Sequence, residues 1–213
     1  MGEILNLQSS IYNFMTEQVE KSEFYFQSVG GLTGQYLPSS EDIAVGTLIT
    51  SRGLFPANLV PYTKKFIENF PKATTKRFKY ICWLKQWDTE PYYLFTLLKS
   101  PKKYPDWVIE SGYFKLRGLI ESVTAKEVVL LVQRNYKSRP TEEQIEQSIS
   151  HIKISNCPKG IRKGQFWQID AMLEEGKLNH LTSHRIADAR QTKKLLAEQK
   201  EMFLKSRGLV KSV

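Results

Sequence analysis

The stretch RFKYICWLKQW, residues 77–87, indicates the fold class, because apolar and polar side chains alternate along its length. A period of two is typical of a β-strand that buries one face and exposes the other. The predicted core face consists of Phe78, Tyr80, Cys82 and Leu84. The opposite face consists of Arg77, Lys79, Ile81, Trp83, Lys85 and Trp87. The strand therefore combines a core face with a face on which cations alternate with indole rings.

Further strand patterns follow toward the C-terminus. The predicted strands are residues 92–99, 112–122, 126–135, 165–173 and 177–184. The first of these follows a turn and forms a hairpin with residues 77–87, and the next two form a second hairpin. The last two are joined by the turn Glu174-Glu175-Gly176. The sequence contains no internal repeat.

Helical patterns lie before, between and after these strands. The predicted helices are residues 8–21, 61–69, 140–149 and 186–205. Pro61 favours the first turn of the second helix, and Thr141 is a suitable N-cap for the third. Residues 28–42 hold three glycines and a proline, which predicts a turn or loop, and a short strand is predicted at 43–50.

The order of elements from Gly112 to His184, with a hairpin before it, resembles the OB-fold. In that fold a helix sits between the third and fourth strands of a small barrel, and glycines such as Gly118 permit strong strand curvature. The resemblance covers residues 77–184 and rests on element order. It implies an α+β fold: a small, curved antiparallel β-barrel or sheet with N-terminal and C-terminal helices. A split pair of sheets or an SH3-like barrel would use similar pieces.

This interpretation divides the chain into three parts. Residues 1–72 form a helical and loop segment, 73–184 a barrel-like core, and 185–213 a basic helix and tail. The formal net charge is +9. Residues 1–50 hold six acids and one base, net −5, so the remainder, with 30 bases and 16 acids, is net +14. Such an asymmetry predicts a polyanionic partner, although a basic surface also serves solubility.

Two more predicted strands carry candidate contacts on their outward faces. Alternation places Phe114, Leu116, Gly118 and Ile120 in the core, and Tyr113, Lys115 and Arg117 outside. In residues 165–173 it places Trp167, Ile169, Ala171 and Leu173 in the core. Phe166 is then an exposed ring, with Arg162 and Lys163 beside it in the preceding loop.

We therefore predict a nucleic-acid-binding protein that is not an enzyme. Single strands are favoured over duplexes, since the candidate contacts are rings on strands rather than a recognition helix. Bases would stack on Trp83, Trp87, Tyr113 and Phe166. Phosphates would contact Lys79, Lys85, Lys115, Arg117, Arg134, Arg162 and Lys163. The alternative is a subunit of a protein assembly that uses the same surface, because outward rings also pack beneath helices and in interfaces.

Signals for catalysis, metals and membranes are weak. His180 and His184 lie four residues apart on a predicted strand, about 13 Å and too far to share a metal. We predict no cofactor, no metal and no catalytic residue; an enzyme whose site is invisible in one sequence is the third hypothesis. No apolar run has membrane-spanning length. Two cysteines and no signal peptide predict a cytoplasmic location.

The two ends of the chain suggest further contacts. Ala189, Leu196 and Phe203 are spaced seven residues apart, which predicts an amphipathic helix that docks on the body or pairs with a second copy. The acidic residues of the N-terminal segment could cover a basic groove or bind a partner protein.

Overall fold

A computed structural model describes residues 24–86, 93–99, 110–133 and 148–206. Within these residues there are ten β-strands, two α-helices and one short 3₁₀ helix. The strands are β1 Gln27–Pro38, β2 Val45–Thr50, β3 Gly53–Leu59, β4 Phe78–Gln86, β5 Tyr93–Lys99, β6 Tyr113–Val123, β7 Glu127–Val132, β8 Ser150–Ser155, β9 Phe166–Glu174 and β10 Lys177–Ala187. The helices are α1 Pro61–Asn69 and α2 Ala189–Ser206, and the 3₁₀ helix is Pro71–Thr74.

The strands form two closed five-stranded barrels. In the first barrel the neighbours around the ring are β1, β2, β3, β5 and β4, which returns to β1. In the second they are β6, β7, β8, β10 and β9, which returns to β6. Each ring contains one parallel pair, β3 with β5 and β8 with β10. The α+β fold with an OB-like barrel is therefore confirmed, and the topology occurs twice although the sequence shows no repeat.

The two hairpins predicted from the sequence are confirmed, but each belongs to a different barrel. The hairpin of β4 and β5 completes the first barrel, and the hairpin of β6 and β7 begins the second. Neither β3 nor β8 was predicted from the sequence. The helices predicted at residues 8–21 and 140–149 lie wholly or mostly outside the described residues.

Residues 28–42 were predicted as turn or loop, and this is wrong for most of them, because β1 runs through Gln27–Pro38. The glycines are there for close packing. A Cβ atom on Gly30 would lie 2.3 Å from Cδ1 of Phe114, and one on Gly34 would lie 2.5 Å from the carbonyl oxygen of Ile49. Glycine allows neighbouring strands and side chains to approach β1 this closely.

The two barrels share one hydrophobic core. The first halves of β1 and β6 pair antiparallel, with Gly30 opposite Phe114. The Phe114 ring lies 5.7 Å from the ring of Phe95 in the first barrel. Arg52, in the β2–β3 turn, donates from Nε to the Ser111 carbonyl and from Nη1 to the Leu173 carbonyl, each at 2.8 Å. These contacts join the barrels through both apolar packing and hydrogen bonds.

Both helices pack against the core of the barrels. α1 spans the predicted residues, and Thr63 donates its hydroxyl to the Leu97 carbonyl. α2 begins with a reciprocal pair of capping hydrogen bonds. The backbone N–H of Gln191 donates to Asp188 Oδ1, and the backbone N–H of Asp188 donates to Gln191 Oε1. Leu195 and Leu196 pack against the core, so the docked alternative for this helix is observed. Among the described residues, no helix has the length and apolar character to cross a bilayer.

Candidate nucleic-acid interface

The pairing of β1 with β6 brings candidate residues of both barrels onto one face. β4, β1, β6 and β9 are successive antiparallel neighbours. Val29 lies opposite Trp83 on one side and opposite Lys115 on the other. Trp83 and Lys115, 32 positions apart in sequence, are thus about 10 Å apart across the sheet.

The next row of the same face adds two cations. Lys85 follows Trp83 by two residues on β4, and Arg117 follows Lys115 by two residues on β6. We call Trp83, Lys85, Lys115 and Arg117 the basic face. All four side chains are half-buried. Their outward direction is as predicted, because the residues between them are buried in the core.

Arg117 contacts both an aromatic ring and a glutamine side chain. Its guanidinium carbon lies 4.5 Å from the centre of the Tyr25 ring, and its Nε donates to Gln168 Oε1 at 2.8 Å. This cation–π contact leaves Tyr25 37% exposed. Sequence reasoning missed Tyr25; the aromatic run Phe24-Tyr25-Phe26 directly before β1 was the available signal.

Lys79 also points outward and is exposed, but it is separated from Trp83 by a buried row. In that row Ile81 is 6% exposed, Tyr113 4% and Met172 5%. The outer face of the joined sheet is therefore open only in part, and Lys79 lies at a distance from the basic face.

The prediction that Tyr113 stacks a base is wrong. Its ring is buried, and its hydroxyl donates to Asp170 Oδ2 at 2.6 Å. Burial, and then the bond to this carboxylate, raise the pKa of the Tyr113 phenol. Tyr113 instead positions Asp170.

Phe166 is also not the exposed ring that alternation predicted. It is fully buried, with its ring centre 4.3 Å from that of Phe24 and 5.3 Å from that of Phe26. The segment before β1, some 140 residues away in sequence, covers it. Arg162 and Lys163 are exposed in the preceding loop but have no exposed Phe166 ring beside them.

A turn fixes the loop that carries these two cations. The Arg162 amide and the Trp167 indole Nε1 both donate to Gln165 Oε1 at 2.9 Å. Trp167, predicted in the core, is half-buried. Two other predicted contacts, Trp87 and Arg134, lie outside the described residues.

Asp170 is an acidic residue of this face that sequence reasoning did not use. It lies opposite Lys115 and accepts three hydrogen bonds, from Tyr113, from Thr182 at 3.3 Å and from Gln168 at 3.4 Å. The donors hold the carboxylate at the β9 border of the basic face. The basic face therefore has a negative charge at its β9 border and cations toward β4.

A histidine of β10, His180, lies close enough to Asp170 for the two charges to interact. His180 Nε2 lies 2.9 Å from Ser183 Oγ, and burial lowers the pKa of this imidazole while the Asp170 charge opposes the shift. His180 is not a donor to Asp170, whose three hydrogen bonds come from Tyr113, Gln168 and Thr182. In the part of the chain that the structure describes, no three His, Cys, Asp or Glu side chains are grouped to hold a metal ion.

Comparison with known proteins gives no family for this chain. No protein-family model matches the sequence. No curated protein shows significant similarity to it.

Proposed function

We propose that this protein binds single-stranded nucleic acid across the basic face, without catalysis. The observation that carries the proposal is the shared row of Trp83 and Lys115, with Lys85 and Arg117 on the next row. A single-strand site combines aromatic rings that stack bases with cations that contact the phosphates along the same groove. Here two barrels supply them jointly.

Each residue type has a distinct role in this proposal. Trp83 is half-buried and packs partly against the core, and its remaining exposed surface stacks a base, which contributes about 1–3 kcal/mol for one base. Lys85 and Lys115 neutralise phosphates on either side of β1. Arg117, whose guanidinium lies over the Tyr25 ring, offers a further stacking surface. The contacts read no base edge, so the proposed binding has little sequence preference.

The charge of the whole chain supports the same partner. The net charge of +9 attracts a polyanion from a distance and raises the rate of encounter. If three cations of the basic face each neutralise one phosphate, the logarithm of the binding constant falls with the logarithm of salt with a slope of about −2. Cys82 and Cys157 are free thiols, which supports the proposed cytoplasmic location.

The first test is fluorescence anisotropy of a labelled, mixed-sequence single-stranded oligonucleotide titrated with the protein. We expect binding at low salt that weakens roughly 15-fold between about 50 mM and about 200 mM salt. Trp83→Leu should weaken binding roughly 5- to 150-fold, the loss of one stacked base. Lys115→Gln should weaken it and make the salt slope shallower.

Matched controls lie elsewhere on the surface. Tyr62 is an aromatic residue of α1 that is 74% exposed, so Tyr62→Leu removes a ring outside the basic face. Lys65→Gln removes an exposed cation of the same helix. No binding at low salt would contradict the proposal, and so would equal losses in the control variants. Salt-insensitive capture of a protein by the basic face would instead support the assembly alternative.

A further inference from the structure

The second barrel carries a cluster of cations outside the basic face. They lie on the loop between β8 and β9, at the end of β10 and on the first two turns of α2, and all are exposed: Arg162, Lys163, Arg185, Arg190 and Lys193. We call them the loop–helix patch. Residues 185–194 alone hold four bases and one acid. The patch is therefore a second concentration of positive charge, built mainly by a loop and a helix.

Backbone hydrogen bonds hold the loop on β6. The backbone N–H of Gly164 donates to the Ile120 carbonyl, and that of Ile120 donates to the Gln165 carbonyl, both at 2.8 Å. Within the loop, Gln165 Oε1 accepts from the Arg162 backbone N–H and from the Trp167 indole. The loop cations therefore extend from a fixed backbone, which lowers the entropy cost of binding a ligand.

Gly164 brings the loop against the start of α2. A Cβ atom on Gly164 would lie 3.2 Å from the Cβ atom of Ala189, the first residue of the helix. Gly164 has a φ of +86°, a backbone conformation that glycine adopts without strain. Lys163 directly precedes Gly164, and Lys193 follows Ala189 by one turn on the same side of the helix. The loop and the helix therefore present their cations side by side.

Acidic residues also occur next to the patch, and each has a partner. The pairs are Asp188 with the Gln191 backbone N–H, Glu198 with Lys194, and Glu121 with His151. Lys194 is left out of the patch because of its pair. The five cations of the patch therefore outweigh the negative charge around them.

The patch combines these five exposed cations with one half-buried ring. The ring is that of Trp167, which lies opposite Arg185 on the paired strands β9 and β10. Its indole N–H is bound to Gln165, and its ring packs partly against the core. Phe166 is fully buried. Because cations outnumber rings so strongly, the patch suits phosphates rather than bases.

A surface of this kind favours a duplex over a single strand. Double-stranded DNA carries about one negative charge per 1.7 Å of its axis, twice the density along one strand, so a group of cations meets more phosphates on it. A single strand depends more on rings that stack its bases. Cations that contact duplex phosphates fix the position of the protein without reading the sequence.

The patch lies next to the basic face. Along β6, Ile120, to which the loop is bonded, follows Arg117 by three residues, or about 10 Å. Tyr25 contacts Arg117, and the carbonyl of Phe24 accepts a hydrogen bond from Gln199 of α2 at 3.4 Å, so two consecutive residues touch both sites. At roughly 3.4 Å per nucleotide along one strand, about three nucleotides cover the distance from Arg117 to Ile120.

We infer that the loop–helix patch binds the phosphates of a duplex that adjoins the single strand on the basic face. The preferred ligand is then a junction at which double-stranded nucleic acid opens into a single strand. This inference rests on the proposed single-strand binding and adds a second site for a different form of the same ligand. Because one ligand occupies both sites, the second contact forms at a high effective concentration.

Fluorescence anisotropy with three labelled ligands of equal nucleotide number tests the inference. The ligands are a junction with a single-stranded overhang, a single strand and a blunt duplex. We expect the junction to bind at least about tenfold more tightly than either of the others. Each cation that contacts a duplex phosphate adds about −0.9 to the salt slope, so three such contacts change it from about −2 to about −5.

Variants locate the duplex contact. The double variant Arg162→Gln with Lys163→Gln removes the loop cations, and Lys193→Gln removes a helix cation. Both should lower the affinity for the junction toward that for the single strand and leave single-strand affinity unchanged. Thermal unfolding should show that these exposed positions tolerate the change. The matched control is Lys177→Gln, an exposed cation at the other end of β10, which should bind all three ligands as the wild type does.

A junction that binds no more tightly than the single strand would overturn the inference. Equal losses of single-strand and junction affinity in the patch variants would overturn it too, since the single strand itself would then continue onto the patch. Equal losses in Lys177→Gln would show that net charge, not the patch, is responsible. Failure of the proposed function looks different: single-strand binding would be absent or insensitive to Trp83→Leu, whatever the patch variants do.

Discussion

Tyr36 and Tyr80 are both fully buried in the first barrel, but their hydroxyl groups differ in hydrogen bonding. Tyr36 donates to the Ile43 carbonyl at 2.9 Å. The Tyr80 hydroxyl has no partner within the described part of the chain. Burial raises the pKa of Tyr80 to about 12, so the group stays neutral at physiological pH. A buried hydroxyl without a partner costs free energy that a phenylalanine ring does not.

Replacing each tyrosine by phenylalanine should therefore give opposite results. Tyr80→Phe should leave the free energy of unfolding unchanged or raise it, since it removes an unsatisfied polar group. Tyr36→Phe should lower it by about 1 kcal/mol and leave the Ile43 carbonyl without its donor. Urea unfolding measures both variants. A loss for Tyr80→Phe as large as that for Tyr36→Phe would show that the Tyr80 hydroxyl has a bonding partner.

Gly30 lies where β1 pairs with β6 and the two barrels join. An added Cβ would lie 2.3 Å from Phe114 Cδ1 and 2.5 Å from the Tyr113 carbonyl oxygen. We expect Gly30→Ala to destabilise the protein by roughly 1–3 kcal/mol through overpacking. Val29→Ala, at the next position on the outward face, should cost less because Val29 is half-buried. A thermal melt of the two variants compares them directly.

At the scale of the strands, β6 and β9 place Asp170 beside cations of the basic face. Asp170→Asn removes a negative charge near the proposed phosphate path. We expect it to tighten oligonucleotide binding about twofold to fivefold. Tyr113→Phe is the control, because it removes the 2.6 Å hydrogen bond and keeps the charge. It should lower stability by about 1 kcal/mol without changing affinity. Unchanged affinity in Asp170→Asn would show that the phosphates do not pass close to β9.

The strands also show how far alternation can predict a candidate site. It correctly gave the outward direction of Trp83, Lys85, Lys115 and Arg117, because side-chain direction in a strand is a local property of the backbone. It gave the wrong exposure for Tyr113 and Phe166. Exposure depends on what packs over a face, and for Phe166 the covering residues lie at the other end of the chain.

At the scale of the whole molecule, Arg52 links the barrels. Its two hydrogen bonds reach carbonyl groups 59 and 121 positions away in sequence. Arg52→Lys keeps the charge, but a lysine has no planar guanidinium with which to donate to both carbonyl groups. We expect a loss of about 2 kcal/mol in the free energy of unfolding, measured by urea denaturation.

Arg77→Lys is the matched control, since Arg77 is exposed and donates one bond of 3.4 Å. It should change stability by less than about 0.5 kcal/mol. Because Phe95 and Phe114 join the cores, we also expect the wild type and Arg52→Lys to unfold in one transition by fluorescence and by circular dichroism. Two separate transitions would show that the barrels fold independently.

By itself the sequence determined the strand character of residues 78–86 and 113–123, the position of α1, and the outward direction of the basic side chains. These features follow from period-two alternation and from proline at a helix start, which act over a few neighbouring residues. It failed for residues 28–38, where glycines that look like turn signals permit close strand packing.

Only the tertiary structure decided that there are two barrels and that β1 and β6 join them. Ring closure and the pairing of Gly30 with Phe114 bring together residues far apart in the chain. The free energy of such contacts comes from burial and packing between distant segments, which no local pattern encodes. The basic face exists because that packing places Trp83 and Lys115 on either side of Val29.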